Sequence, residues 1–466
     1  MPPLPQIVIL VAMNKRYGIR TKAALLDGAL TEATIIIGGE IIEEILPYQS
    51  LPENLDSLLD LGSQWVLPGL LDIHVHLNEP GRTDWEGFET GTKAAAAGGI
   101  TTVVDMPLNS SPVTTTVEAL ETKLDAARGK LYADCGFYGG LVPGNVHQIE
   151  PLIQAGVLGI KAFLCHSGID EFPNATEKEL RAAMPILARY NIPLLVHAEL
   201  PDEGAPQWAG SKECYQSWLK SRPDRFELDA IALLIKLCRE TGCPVHIVHL
   251  ATAQALPMLG KARKEGLPIT VETAPHYLSF CAEEIADGDC RFKCAPPIRS
   301  RQNRDDLRKA LQDGLIDLVA TDHSPAPPDL KNLESRNLQG AWGGISSLQL
   351  LLPATAFAME SFDKSPEALD RWLRQNPQRI LGLPETSLSA KAPATFIVYD
   401  PEKTTEVSAE NLYHRHKATP YEGYSLKGSV QATYLRGEQI YDLNKGPLLA
   451  KGRPLLNHYA RAKNEQ

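Results

Sequence analysis

The sequence has few features that would tie it to a membrane or to nucleic acid. No apolar run approaches the roughly 20 residues that a membrane span needs. The formal net charge is −11, and the basic residues form no cluster, so nucleic acid and anionic membranes are not expected as partners. The short apolar run at 7–13 is followed, not preceded, by basic residues, which is unlike a secretory signal.

Cysteine is also scarce, and its spacing is not that of a structural site. The eight cysteines include no Cys-x-x-Cys pair, and several lie within apolar helix or strand patterns. We interpret them as reduced thiols and not as a disulfide framework or a structural zinc site, which predicts a cytoplasmic protein. With 466 residues, of which 43% are hydrophobic and 22% charged, the chain can form a large globular domain and a smaller one.

Short β-branched runs at both ends of the chain flank a long region of a different pattern. Runs at 7–11 and 33–37 predict strands near the N-terminus, and similar runs return at 395–399 and 429–435. Between them, apolar runs alternate with helical segments. Eight such runs begin at Val66, Gly99, Asp134, Gly159, Pro193, Pro244, Pro268 and Asp317.

Helix signals occupy the segments between these runs. Thr115 with Glu118, and Thr176 with Glu179, each match a capping box, and Gly242 is expected to end the helix before it. Eight strand–helix units predict an α/β fold, a (β/α)₈ TIM-type barrel over 66–389, with a small β-sandwich formed by 1–65 and 390–466. A doubly wound sheet is the alternative, but no Gly-x-Gly-x-x-Gly follows an early strand.

Reactive residues stand where these predicted strands end. His74 and His76 are one residue apart on a strand, so both project from one face, where neutral imidazoles suit a divalent metal such as zinc. The active site of such a barrel lies at the carboxyl ends of its strands. Four more candidates occupy such ends, namely Lys161, His197, His249 and Asp322.

Each candidate also has an ordinary structural interpretation. A single histidine at a strand end is often a core residue, and we expect His246 to be one because it lies on the face opposite His249. Asp322 could cap the next helix. Lys161 as an ammonium cannot bind a cation, but carboxylation of its amine would make it an anionic ligand able to bridge two metals. The coincidence at five strand ends favours the metal site.

Such a site predicts a hydrolytic reaction. Two metals bridged by carboxylated Lys161 would share a water and lower its pKa toward neutrality. Asp322, beside the resulting hydroxide, could accept its proton and later give it to a leaving nitrogen. The reaction class is hydrolysis of an unactivated amide or similar C–N bond.

This pattern resembles the cyclic amidohydrolases, which include dihydroorotase, dihydropyrimidinase (hydantoinase) and allantoinase. The resemblance implies the same barrel and β-sandwich, and a small cyclic amide as substrate. It implies that His74, His76, Lys161 and Asp322 bind one metal, and that carboxylated Lys161 with two further histidines binds the second. Those histidines are His197 and His249. Zinc is the expected metal, and relatives are commonly homotetramers.

Within the family the chain is most similar to the allantoinases, through motifs at 76–88, 105–110, 163–168, 292–299, 322–331, 341–348 and 416–421. Asn78 stands where dihydroorotases have an arginine that pairs with the substrate carboxylate, and allantoin has no carboxylate. Asn109 follows the second strand and is expected to bind substrate. His166 stands where hydantoinases place a tyrosine that steadies the oxyanion, so it is a catalytic candidate.

Two alternatives remain open. The chain could act on another ring, as a hydantoinase or a dihydroorotase does. It could also be a non-catalytic assembly protein, since family members of that kind keep the barrel and lose metal ligands. All six ligand positions here hold competent residues, which favours an enzyme.

Overall fold

The computed structural model describes residues 16–50, 52–202, 204 and 206–457. The strand predicted at 7–11 lies outside these residues. The described part of the chain contains nineteen strands: β1 (Arg16–Leu26), β2 (Ala29–Gly38), β3 (Ile41–Leu46), β4 (Ser57–Asp60), β5 (Trp65–Pro68), β6 (Leu70–Val75), β7 (Ile100–Asp105), β8 (Asp134–Phe137), β9 (Gly139–Gly140), β10 (Ile160–Phe163), β11 (Leu194–His197), β12 (Val245–Ile247), β13 (Ile269–Thr273), β14 (Leu318–Val319), β15 (Phe396–Glu406), β16 (Ser425–Leu435), β17 (Glu438–Asp442), β18 (Gly446–Pro447) and β19 (Pro454–Leu455).

The α-helices in this part of the chain alternate with the central strands. They are α1 (Phe88–Ala97), α2 (Val117–Ala127), α3 (Val146–Ala155), α4 (Glu177–Tyr190), α5 (Tyr215–Ser221), α6 (Asp224–Thr241), α7 (Leu256–Lys264), α8 (Pro275–Ser279), α9 (Arg301–Gln312), α10 (Leu351–Ala358), α11 (Pro366–Asp370) and α12 (Asn376–Ile380). None of these helices is long and apolar enough to cross a membrane.

One sheet joins the two ends of the chain. Its nine strands run in the order β18-β17-β16-β15-β5-β1-β2-β3, and β4 pairs with β1 outside this path. The β-branched run of β2 is buried, as expected of residues that favour a half-covered sheet. Strand β15 pairs antiparallel with β5, where Val398 lies opposite Val66. The β structure predicted at 33–37 and near the C-terminus is confirmed.

The eight central runs all contain parallel strands, as predicted. Six strands form a sheet in the order β14-β13-β12-β11-β10-β9, and four form a sheet in the order β19-β8-β7-β6. Strands β6, β10 and β11 are buried along their whole length, as parallel strands covered on both faces are. Apart from β19, which pairs with β8, the strand order is consecutive and never reverses, which is unlike a doubly wound sheet.

The first predicted run is divided between two sheets. Residues 65–68 form β5 of the nine-stranded sheet, and β6 begins at Leu70. Between them, Gly69 passes so close to Thr101 that a Cβ would lie 2.3 Å from its Oγ1. Glycine is the residue that allows this approach.

The carboxyl end of β6 lies beside the segment that follows β14. The amide N–H of His76 donates to the carbonyl of His323 at 2.8 Å, and Val75 forms a parallel bridge with His323. Side chains that follow the first and last of the eight strands are therefore neighbours in space.

The helix-end predictions are confirmed in two cases and wrong in one. Thr176 and Glu179 form the predicted capping box of α4. Gly242 ends α6 in the left-handed conformation with φ +70°. The box predicted at Thr115 is wrong, because α2 begins one residue later and Thr116 caps it through the amide of Ala119.

Candidate active site

The predicted metal-ligating residues converge at the carboxyl ends of the parallel strands. Asp322 Oδ1 lies 3.2 Å from His74 Nε2 and 3.7 Å from His76 Nε2. Potential ligand atoms of His74, His249 and Asp322 all lie within 4.8 Å of one another. The rings of His197 and His249 are 4.6 Å apart between centroids. Side chains from four strands therefore meet at one place.

A cavity of about 330 Å³ opens over these residues. One side is formed by the histidines and Asp322, and Asn109 lies beside them. The lining also includes Trp218, Lys293 and Trp342. The cavity is large enough for a small heterocycle, and it lies where barrel enzymes bind substrate.

The backbone at this end of the strands is bent into the left-handed region. Asn78, Asn109, His249 and Asp322 have φ values of +60°, +68°, +39° and +48°. Such conformations cost about 1–3 kcal/mol for residues other than glycine, and they concentrate at functional sites. At His249 and Asp322 the bend follows directly after a short strand and carries the side chain toward its neighbours.

Glu272 orients His74, the histidine of β6. This carboxylate, buried in β13, accepts a hydrogen bond from His74 Nδ1 and another from His246 Nε2 at 3.1 Å. It also accepts from the amide N–H of His249 at 3.1 Å. With Nδ1–H donating to Glu272, the Nε2 lone pair of His74 is available on the side that faces Asp322. His246, which also bonds Thr270 at 2.8 Å, is the satisfied core histidine that the sequence predicts.

Glu199 orients His197, the last residue of β11, in the same way. Its Oε2 lies 2.7 Å from His197 Nε2, and Arg222 binds the same carboxylate, with Nε 2.9 Å from Oε1. Burial raises the pKa of Glu199, but Arg222 and His197 outweigh it and hold the pKa well below its usual range. A charged carboxylate thus fixes the imidazole ring. Asn109 Nδ2 lies 3.2 Å from His76 Nδ1 and braces that ring in turn.

The imidazoles of His76 and His249 are suited to bind a cation, whereas at His197 burial is outweighed by Cys165 and Glu199, which raise its pKa to about 9. Burial lowers the pKa of His76 to about 4 and that of His249 well below its ordinary value. Neutral imidazole is the form that ligates metals. Burial raises the pKa of Asp322, but His74 and His76 outweigh it, so the net shift is downward and the group is an anion.

Lys161 is buried among these groups without a hydrogen-bond partner. It is 0% exposed, and Nζ bonds to no atom of the described residues. Burial lowers its pKa to about 8, although Glu272 and Asp322 oppose the shift. A buried polar atom without a partner is costly in an interior, so this amine is expected to bind or react with another group.

The three residues predicted to contact substrate differ in their position relative to the cavity. Asn109 lines the cavity, whereas Asn78 is fully buried, is absent from the cavity wall, and has no partner for either amide atom within the described chain. His166 also lines the cavity, but its side chain is 65% exposed. Its Nδ1 accepts from the amide of Gly168 at 3.1 Å, and Nε2 lies 3.4 Å from Asp170. The roles assigned to these three residues stay predictions.

Sequence reasoning missed three groups at this site. Glu272 and Glu199 are acidic residues at the ends of buried strands, a pattern that could have marked them as partners of nearby histidines. Lys293 lies in the motif at 292–299, which carries the family resemblance but indicates no chemical role for the lysine. Its position in the cavity wall depends on long-range packing and has no local signal.

A model of the amidohydrolase family matches residues 65–440. The chain belongs to the amidohydrolase family. Members generally bind divalent metal ions, and the described residues hold two groups of candidate ligands. One is His74, His249 and Asp322, and the other is Cys165, His197 and Glu199.

Individual amidohydrolases resemble the chain over almost its full length. It is 45% identical to a protein named allantoinase from Streptomyces avermitilis, over 92% of this chain and 97% of that protein. It is 42% identical to an allantoinase from Saccharomyces cerevisiae, over 94% of this chain and 98% of that protein. Among solved structures, the L-hydantoinase (dihydropyrimidinase) from Arthrobacter aurescens has a TM-score of 0.85 and 25% identity, covering 96% of this chain and 100% of that one.

Proposed function

We propose that this chain hydrolyses the cyclic amide bond of allantoin and releases allantoate. The observation that carries the proposal is the full-length similarity, at 45% and 42% identity, to two proteins named allantoinase. The cluster of histidines, carboxylate and buried lysine under a cavity of about 330 Å³ supports it, because it has the groups that a metal-dependent amidase needs.

The donor set fits two divalent metal ions, and we propose zinc. His74, His76 and Asp322 would hold one ion, and His197 and His249 the other. Carboxylated Lys161 would bridge them. The partnerless Lys161 amine and the neutral, buried imidazoles of His76 and His249 support this assignment. Bound metals supply Lewis acidity and lower the pKa of a water molecule toward neutrality.

Asp322 is the residue proposed to move the proton. Its Oδ1 lies 3.2 Å from His74 Nε2 and 3.7 Å from His76 Nε2, so the carboxylate would border a water held at this end of the cavity. In hydrolysis one water adds to the ring carbonyl carbon and the C–N bond breaks. Asp322 takes one proton of that water and delivers it to the departing nitrogen, which leaves a free ureido group and a carboxylic acid that loses its proton to solvent and becomes the carboxylate.

Three neutral or weakly basic side chains are proposed to select and orient the ring. Asn109 lines the cavity next to His76 and could bind the hydantoin ring. Asn78 keeps the first-strand loop neutral, which suits a substrate without a carboxylate. His166 is proposed to donate to the developing oxyanion.

The remaining expectations concern architecture and surroundings. We propose that the parallel strands close into a (β/α)₈ barrel over 66–389, supported by their consecutive order and the Val75–His323 bridge. We propose that 1–65 and 390–466 form the accompanying β-sandwich. All eight cysteines are free thiols, which supports a reducing, cytoplasmic location. A homotetramer is proposed from the resemblance alone.

A second candidate function is hydrolysis of a related ring, as the structural similarity to the Arthrobacter aurescens L-hydantoinase suggests. Initial rates of the purified enzyme on allantoin, dihydroorotate and dihydrouracil separate the possibilities. We expect the highest kcat/KM with allantoin. A higher value with either other ring would overturn the proposal, and a metal-free protein inactive on all three would favour a non-catalytic assembly role.

A further inference from the structure

Two buried lysines, Lys293 in the cavity lining and Lys331 behind it, hold the same segment of backbone. Lys331, 6% exposed, donates to the carbonyl oxygens of Lys293 at 2.8 Å, Trp342 at 3.0 Å and Gly344. Lys293, 5% exposed, donates to the carbonyls of Gln339 at 2.9 Å and Ala341 at 2.6 Å. Together these bonds fix the segment at 339–344, which forms one side of the cavity.

Neither ammonium has a counter-ion nearby. Among the described residues, no carboxylate oxygen lies within the 4.0 Å of an ion pair from either lysine. Burial lowers the pKa of Lys293 to about 8 and that of Lys331 to about 7. A buried cation without a carboxylate is costly, so an electron-rich ligand in contact with it would be bound strongly.

The two lysines differ in their access to the cavity. An ammonium has three N–H donors, and Lys331 uses all three on backbone carbonyls. Lys293 uses two on carbonyls and lies 4.6 Å from the centroid of the Trp218 ring. Lys293 lines the cavity and Lys331 does not. Lys293 therefore keeps one N–H that no oxygen of the described residues accepts, beside the Trp218 ring.

The substrate of the proposed reaction has a matching acceptor. The ring amide that breaks would lie at the proposed metal ligands, and the ureido group is on the ring carbon next to the carbonyl that is attacked. It therefore projects from the ring into the rest of the cavity, whose lining includes Trp218, Lys293 and Trp342. A ureido carbonyl oxygen is a strong hydrogen-bond acceptor, and its bond to an ammonium is stronger than one between neutral groups.

We propose that Lys293 binds the ureido carbonyl oxygen of the substrate and so selects allantoin over hydantoins that lack this group. The inference rests on the proposed function. It makes Lys293 a specificity-determining residue, while Lys331 supports the wall from behind without touching the ligand.

The test compares Lys293→Met with the matched control Lys331→Met. Both substitutions approximately keep the length of the side chain and remove a buried charge. The measurements are KM and kcat for allantoin, the inhibition constant of 5-methylhydantoin, and the melting temperature. The inhibitor 5-methylhydantoin has a methyl group in place of the ureido group.

For Lys293→Met we expect KM for allantoin to rise at least about tenfold, as for loss of a charge-assisted hydrogen bond, with kcat less affected. The 5-methylhydantoin constant should change less than twofold. For Lys331→Met we expect a lower melting temperature and KM within twofold of wild type.

An unchanged KM for allantoin in folded Lys293→Met would overturn the inference. So would an equal rise in KM for Lys293→Met and Lys331→Met, or an equal loss of affinity for allantoin and 5-methylhydantoin in Lys293→Met. If Lys293→Met does not fold, Lys293→Gln takes its place. If neither variant folds, wild-type enzyme that binds 5-methylhydantoin as tightly as allantoin overturns the inference. Wild-type enzyme that does not hydrolyse allantoin at all would instead refute the proposed function, so the two failures are distinguishable.

Discussion

Glu272→Gln is the substitution that probes the site most sharply without replacing a proposed ligand. The change keeps the shape of the side chain and removes the negative charge that binds His74 Nδ1 and His246 Nε2. A glutamine has only one oxygen with which to accept, whereas Glu272 accepts from both rings and from the amide of His249. We therefore expect His74 to lose both its fixed orientation and part of its basicity.

Loss of a carboxylate that orients a ligating histidine costs 10- to 100-fold in metal affinity or activity, or about 1.4–2.7 kcal/mol. The assay is metal content after dialysis against a weak chelator, with kcat/KM for allantoin on the same sample. Asp370→Asn is the control, because Asp370 is equally buried in an ion pair with Arg374 and contacts no histidine. The control should lower the melting temperature and leave metal content unchanged. Glu272→Gln with wild-type metal content and kcat/KM within twofold of wild type would refute the reasoning.

The other predictions address the proposed ligands and substrate contacts. Lys161→Ala should lose metal and activity, with partial rescue by added short carboxylates, and mass spectrometry showing unmodified lysine in the fully metallated enzyme would contradict its carboxylation. Asp322→Asn should lower kcat at least ~10²-fold, the usual scale for general acid–base catalysis, and near-normal turnover with both metals bound would assign the proton transfer elsewhere. Asn78→Arg should depress allantoin hydrolysis with the metals retained, because it buries an unpaired guanidinium. His166→Phe should lower kcat more than it changes KM, and unchanged kinetics would remove His166 from the mechanism.

The strands and the proposed ligands could be predicted because their signals are local. An apolar run marks each parallel strand, and the residue at its carboxyl end must face the common mouth of the sheet. His74 and His76 share a face for the same geometric reason. The division of the first run into β5 and β6 was not predicted, since the break at Gly69 depends on the close approach of Thr101.

The residues around the proposed ligands could not be predicted from local pattern. Glu272 is 198 positions from His74, and the register between strands alone brings them together. Lys331 reaches carbonyls 11 to 38 positions away through a loop whose path no periodicity describes. The helix cap at Thr116 was misplaced by one residue because three consecutive threonines precede the helix and each has the same side-chain acceptor.

The most direct test of the account is to measure allantoin hydrolysis as a function of bound metal. Purified enzyme would be stripped with a chelator and titrated with zinc, with the rate and the metal content followed together. The account predicts that activity disappears with the metal and returns as two ions bind per chain. Full activity without metal, or no hydrolysis of allantoin with two ions bound, would contradict it.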